Sequence, residues 1–185
     1  MIIDGLNLFT GISNGASGAP ASGANTDAPT TGTQVSANII DLGVINGLPT
    51  SARGGGARDI AIGDDPMMKL LVQVTTAFAS GTNLQVNLQG APDNGSGAPG
   101  SFTTMWSSPA VVEANLTQGA YIANIDVPRP VPGQPVPRYL QLQYVSSGTH
   151  TAGAIEGAIV LDRFDQMVGA TGALSGYAPG VTVAN

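Results

Sequence analysis

The feature that most constrains the fold is the stretch from Met67 to Gln89, MMKLLVQVTTAFASGTNLQVNLQ. Apolar side chains occupy every second position in residues 70–75 and again in residues 84–89. Successive side chains of a β-strand point to opposite faces, so this period of two predicts two antiparallel strands. The connection 77–81 ends in a glycine, which suits the positive-φ position of a longer hairpin loop. We therefore expect a β-hairpin with one aliphatic face and one face lined by amides and hydroxyls.

The rest of the chain favours an all-β protein. It has 26 glycines and 13 prolines in 185 residues, and only 10% of its residues are charged, against about 25% in ordinary proteins. Further alternating runs separated by Gly/Pro turns cover residues 37–43, 102–106, 121–127, 138–145 and 154–162. We predict seven or eight short strands and no amphipathic helix, the pattern of a jelly-roll-like antiparallel β-sandwich.

The predicted domain organisation has three parts. Residues 1–36 form an extended Gly/Ala/Ser-rich N-terminal arm, residues 37–165 the sandwich, and residues 166–185 an extended C-terminal tail. An arm of this composition cannot bury enough apolar surface to offset its ordering entropy, so we expect it to order against another chain. The apolar side chains expected to bind that partner are Ile2, Ile3, Leu6, Leu8, Phe9, Ile12, Tyr177, Val181 and Val183.

Charge and residue inventory argue against several classes of function. The net charge is −6 with only six Lys and Arg, whereas nucleic-acid binding needs a basic surface. Cysteine is absent, which excludes disulfides and thiolate sites. We expect neither a signal peptide, because the start lacks a basic region, nor a membrane helix, which needs about 20 apolar residues.

Candidate catalytic and metal-binding residues are few. His150 is the only histidine and lies between two threonines, so we expect a surface residue and not a catalytic base. One histidine without cysteine is too few ligands for zinc. Oxygen-rich groups at Asp64–Asp65, Asp93–Gly97 and Asp162 with Asp165 do not match a calcium loop and are typical of turns. We therefore predict no catalytic residue, no metal and no cofactor.

Two surfaces permit alternative interpretations. The outward Gln and Asn residues of the alternating runs form an uncharged polar sheet face. That face suits either a wet protein–protein contact or ordinary exposure to solvent. Trp106 and the four tyrosines could line a sugar-binding groove, although packing in the core or at an interface is the better explanation for so few aromatic residues.

The ordered series of segments resembles a known family. The segments are IIDLG (39–43), ARDIAIGDDP (57–66), the alternating runs of 70–89, PRYLQLQYV (137–145) and GAIVLD (157–162). Together they are similar to the capsid cement proteins of short-tailed bacteriophages, typified by that of a Bordetella phage. The resemblance covers most of residues 37–165. The long N-terminal arm, the loop 46–56 and the proline-rich stretch 128–137 depart from it.

The resemblance implies a jelly-roll-like protein that assembles as a homo-oligomer, a dimer or trimer, on the outer surface of an icosahedral head. It would be made in the host cytoplasm and would tie neighbouring major capsid protein subunits together. The expected function is thus a non-enzymatic cement or decoration protein, with no nucleic-acid or membrane partner. The alternative is a carbohydrate-binding or adhesin-type β-sandwich domain of a virion.

Overall fold

The computed structural model describes residues 8–11, 21–22, 25–42, 68–128 and 137–161. Within these ranges the chain forms nine strands of one antiparallel sheet, and no α-helix. The strands are β1 (Ala21–Ser22), β2 (Asp27–Ala28), β3 (Gly32–Val35), β4 (Ile40–Asp41), β5 (Met68–Ala91), β6 (Thr103–Ser107), β7 (Val111–Val112), β8 (Tyr121–Asp126) and β9 (Tyr139–Leu161), with a 3₁₀ turn at Glu113–Asn115. The predicted all-β antiparallel class is confirmed.

Two strands of unusual length carry the sheet. β5 has 24 residues and β9 has 23, and they pair from Met68 opposite Leu161 to Ala91 opposite Tyr139. A straight strand of this length would span about 80 Å at roughly 3.3 Å per residue, against about 20 Å for a typical strand. The β5–β9 pair is called the ribbon here, and a ribbon of that length can form a compact core only by folding over on itself.

The fold-over lies at the middle of the ribbon. The β5–β9 register shifts four times between Val74 and Asn83, and such bulges bend and twist a strand pair. Ser80 has a φ of 68°, and Gly148 and Gly153 have φ values of 76° and 134°. These positive angles lie where the two long strands change direction, so the bend is built into both of them.

The hairpin predicted at 77–81 is wrong, because β5 runs through it as one strand. Gly81 lies outside the positive-φ region and serves a different purpose: a Cβ there would lie only 1.9 Å from Nδ1 of His150. The glycine therefore permits a ring to lie against the backbone and does not make a turn. Between the alternating runs 138–145 and 154–162 the sequence permits either a turn at Gly148 or a ladder that continues through residues 149–151, and the structure shows one continuous strand, β9.

Shorter strands pair with the outer side of each long strand. β4, β3 and β2 pair with β9, and β6, β7 and β8 pair with β5. The strands predicted at 102–106 and 121–127 are confirmed as β6 and β8 within one residue at each end, whereas only β4 remains of the strand predicted at 37–43. The outer strands are short because they follow a ribbon that bends.

Folding the ribbon brings its two halves face to face. A Cβ on Gly157 would lie 2.7 Å from Cδ1 of Leu142, although both residues belong to β9. The shared core contains alternate residues of both halves: Leu70, Val72, Val74, Leu84, Val86, Leu88, Leu140, Leu142, Tyr144, Ile155 and Ile159. The predicted sandwich is thus confirmed, with both layers coming from one folded sheet.

Candidate functional site

The residues predicted to bind a partner fall into two groups. Ile2, Ile3, Leu6, Ile12, Tyr177, Val181 and Val183 lie outside the described residues. Leu8 and Phe9 are described, and both are buried in this chain's own sandwich. Phe9 is fully buried in the main core, and Leu8 pairs with Ala158 of β9. These two side chains are therefore occupied within the chain and are not left for a partner.

Leu8–Gly11, which we call the strap, is held between two parts of the sandwich. The Phe9 N–H donates to the Gly157 carbonyl at 2.8 Å, and the Phe9 carbonyl accepts from the Asn38 N–H at 2.8 Å. The Thr10 hydroxyl donates to the Asn25 carbonyl at 2.8 Å and accepts from the Gly157 N–H at 3.0 Å. Because both edges of this short segment are hydrogen-bonded, the strap is an integral part of the fold.

A buried carboxylate fixes the strap to the segment that follows it. Asp27 has no exposed surface, and it accepts hydrogen bonds from the N–H groups of Gly11 at 3.1 Å and Ala37 at 3.0 Å and from the Tyr144 hydroxyl at 2.8 Å. Burial raises the pKa of Asp27 although these three bonds oppose the shift, and burial also raises the pKa of Tyr144. One side chain thus joins three separate segments.

Part of the stretch assigned to the arm therefore belongs to the sandwich. β2 pairs with β9 at Ile155, and the four residues of β3 pair with β9 at residues 143–146. The Thr30 carbonyl also accepts a hydrogen bond from the His150 N–H at 2.8 Å. Composition alone did not reveal these contacts, because a strand held by backbone hydrogen bonds and one buried Asp needs few apolar side chains.

The half of the ribbon made of residues 84–91 and 139–146, the amide half, carries the polar face predicted from the sequence. Gln141 donates to Gln89 at 2.8 Å and Asn87 donates to Gln143 at 3.0 Å, each pair directly opposite across β5 and β9. Asn87, Gln89 and Gln141 are buried, so the expectation of an exposed face is wrong for these three. Each pair sets an amide donor against an amide acceptor, and such cross-strand pairs stabilise the sheet.

An ionic cluster lies at the end of the amide half. Arg138 donates to both carboxylate oxygens of Asp41, at 2.9 and 3.0 Å, and to Oδ2 of Asp93. The guanidinium also lies 4.9 Å from the centre of the Tyr139 ring. Hydrogen bonds from the loop amides and the charge of Arg138 lower the pKa of Asp93. The cluster joins the loop after β5 to the start of β9 and to β4.

His150 is not the surface residue that the sequence suggested. Its side chain is buried at the bend, with Nε2 lying 3.3 Å from the Asn83 carbonyl oxygen and the ring edge-on to Phe78 at 5.0 Å. Gly81 lies against the ring of His150 and Gly153 against the ring of Phe78, and the missing side chains leave room for the two rings. A buried imidazole between an aromatic ring and a backbone glycine is a packing element of the bend.

The described residues offer few further candidates for a sugar-binding groove, a metal site or a membrane span. Trp106 packs against the core and Tyr139 and Tyr144 are buried, whereas Tyr121 is exposed. The described ranges contain no group of three His, Cys, Asp or Glu side chains that could hold a metal ion. They also contain no helix long and apolar enough to span a bilayer. The carboxylates at Asp64–Asp65, Asp162 and Asp165 fall outside these ranges.

The described residues define an all-β sandwich built from one folded antiparallel sheet, whose buried polar groups mostly bond to one another. A family model described as Bbp16 matches residues 24–159, and the chain belongs to the Bbp16 family. This match confirms the resemblance to a Bordetella phage protein family and is consistent with a component of a phage particle. A search for related curated proteins found no match.

Proposed function

We propose that this chain is a phage capsid cement protein, without enzymatic activity, that binds the outer surface of the head and stabilises contacts between major capsid protein subunits. The observation that carries the proposal is the family match over residues 24–159. A cement protein requires a firm body and added contact area, and it needs no reactive group. Many weak contacts on a repeating shell act together, so modest affinity at each site is sufficient.

The described residues form the firm body that a cement protein requires. Its core is continuous across the folded ribbon, and the strap, Asp27 and the Arg138 cluster fasten separate segments to it. The polar side chains best suited to chemistry, Asp27, Asp93 and His150, are engaged in internal contacts. A body of this kind supports recognition by shape and contact area.

The contacts with the capsid are assigned to the two ends of the chain. Among the described large apolar side chains only Ile39, Val112 and Tyr121 are exposed, and single exposed apolar residues are normal on any protein surface. The ends outside the described residues contain Ile2, Ile3 and Leu6 before the strap and Tyr177, Val181 and Val183 in the tail. We propose that these side chains bind neighbouring major capsid protein subunits and further copies of this chain.

Truncation at the strap boundary tests this assignment. One variant lacks residues 1–7 but keeps Leu8–Gly11, and a second lacks residues 166–185. We expect the full chain to co-sediment with purified heads to saturation, and each truncation to weaken binding by at least about tenfold, which corresponds to roughly 1.4 kcal/mol. Circular dichroism and thermal melts should show that both truncated chains remain folded.

A deletion that also removes the strap is the matched control. A chain lacking residues 1–11 loses Phe9 and the strap's hydrogen bonds, so we expect it to melt at a much lower temperature. Equal binding by the full chain and both folded truncations would refute the role of the ends. Failure of the full chain to bind heads at any concentration would refute the cement function itself.

A further inference from the structure

The loop Asp93–Gly97, which follows β5, contains an Asn-Gly pair that neither the fold nor the proposed function requires. The loop is closed by a bridge between Asp93 and Pro99 and by the Asn94 N–H, which donates to the Ala98 carbonyl at 2.9 Å. Its central residues, 94–97, are exposed. Asn94 is followed directly by Gly95, so no side chain separates the Asn94 carboxamide from the next backbone nitrogen.

The two oxygens of the Asp93 carboxylate have different partners. Oδ2 accepts hydrogen bonds from Arg138 and from the Tyr139 hydroxyl at 3.3 Å. Oδ1 faces the loop, where it accepts the Gly95 N–H at 2.6 Å and the Gly97 N–H at 3.3 Å. Because Arg138 and Tyr139 hold one oxygen, the other is fixed against the backbone nitrogen of Gly95.

The Asn94 carboxamide is polarised by the same loop. Its Oδ1 accepts the Ser96 N–H at 2.8 Å, and a donor on a carbonyl oxygen stabilises negative charge that develops there during attack on the carbon. Gly95 has a φ of 91°, and nothing lies within 4 Å of the position that a Cβ would occupy. Electrophile, nucleophile and proton acceptor thus come from three consecutive residues.

We propose that Asn94–Gly95 is a self-modification site, at which Asn94 closes onto the Gly95 nitrogen and is converted to aspartate and isoaspartate. The Gly95 nitrogen gives its proton to Asp93 Oδ1 and forms a bond to Cγ of Asn94. The Cγ–Nδ2 bond breaks, and Nδ2 takes up a proton from water and leaves as ammonia. Water then opens the resulting five-membered imide at either carbonyl, and the proton on Asp93 passes to solvent.

The proposed roles follow from ordinary catalytic chemistry. A backbone amide is a poor nucleophile until a base accepts its proton. The lowered pKa makes Asp93 a weak base, so its contribution is its position, with Oδ1 already holding the Gly95 N–H. The nucleophile and the carboxamide belong to adjacent residues, so the ring closure is intramolecular and avoids the entropic cost of bringing two molecules together. The product adds a negative charge next to Asp93 and Asp41, where Arg138 already binds both carboxylates.

Peptide mapping by mass spectrometry tests the proposal on the purified full-length chain, incubated at neutral pH and physiological temperature. We expect Asn94 to gain the mass of deamidation with time, with both aspartate and isoaspartate products. The exposed residues Asn115 and Asn124, which precede Leu116 and Ile125, should remain unchanged. The variant Gly95→Ala, which adds a side chain at a positive φ, should slow the reaction at Asn94 by at least about tenfold.

Two further variants separate the role of Asp93 from that of the sequence Asn-Gly alone. Asp93→Asn should slow conversion at Asn94 by at least about tenfold, without changing the rates at Asn14 and Asn46, which also precede glycine. Asp41→Asn, which removes the other partner of Arg138, should leave the rate at Asn94 unchanged. An unmodified Asn94, or an equal or faster rate in Asp93→Asn, would overturn the proposal. Binding to heads is a separate measurement, and its failure would leave this result standing.

Discussion

The two halves of the folded ribbon differ in how the sheet face away from the core is covered. In the amide half, the sheet face away from the core carries Asn and Gln side chains that pair across the strands. In the other half, residues 68–74 and 155–161, that face carries Leu71, Ala158 and Val160, which cluster with Leu8 of the strap. We call this the strap half. The face away from the core can therefore be buried in two ways: with amides that bond to one another, or beneath an apolar segment that packs on it.

The difference shows that the strap covers the outer face of one half only. The strap packs where the outer face is apolar, and Asp27 then joins it to Tyr144, whose ring lies in the core of the amide half. The N-terminal residues thus connect the halves that the ribbon has folded together. Deleting the whole predicted arm would remove Phe9 and Asp27 and so destabilise the sandwich.

The largest expected effect is that of Asp27→Ala. The substitution leaves the Tyr144 hydroxyl and two buried backbone N–H groups without their acceptor, so we expect the free energy of unfolding to fall by about 3–5 kcal/mol. Tyr144→Phe removes only one donor and should cost about 1.5–3 kcal/mol. Urea unfolding of both variants measures the values. Equal losses would mean that Asp27 does not fasten the strap.

A direct comparison of the halves uses Leu71→Ala and Gln89→Ala. Leu71→Ala opens a cavity beneath the strap and should cost about 2–3 kcal/mol. Gln89→Ala leaves Gln141 without its acceptor and should cost about 1–2 kcal/mol. Adding Gln141→Ala to Gln89→Ala should cost little more, since both partners are then gone. A double variant that loses the sum of two full single effects would show that the amides do not act as a pair.

The smallest expected effect is a pH dependence traced to Asp27. Burial raises the pKa of Asp27 above its ordinary value of 3.8, so in the window just above 3.8 the folded chain binds this proton more tightly than the unfolded chain. The stabilising contribution is therefore complete at low pH and is lost as the pH rises through the folded-state pKa. The stability of the native chain minus that of Asp27→Asn should decrease as the pH rises. If this stability difference increased with pH, the raised pKa assigned to Asp27 would be contradicted.

The sequence carries a signal for this contrast in both halves of the ribbon. The run LQVNLQ alternates strictly, and its faces were predicted correctly as apolar and amide. The run LLV at 70–72 and the run AIVL at 158–161 are apolar at consecutive positions, which indicates burial on both faces. That pattern could have shown that the outer face near Leu71 is covered and that part of the N-terminal stretch lies against it.

Other features could not be predicted from a single sequence. The position of Gly81 after a short apolar run predicts a turn, whereas its role is to admit the ring of His150, a residue 69 positions away. Asp27 lies among small polar residues, and nothing near it in the sequence indicates that Tyr144 is its partner. These contacts join distant positions across a ribbon that folds on itself, so local patterns carry no trace of them.

Cryo-electron microscopy of the phage head carrying this chain tests the account most directly. We expect density for the folded ribbon on the outer surface of the shell, over the junctions between major capsid protein subunits, with residues before the strap in contact with those subunits. Density for the ribbon inside the head or on the tail, or heads that show none after saturation with the purified protein, would contradict the proposed function.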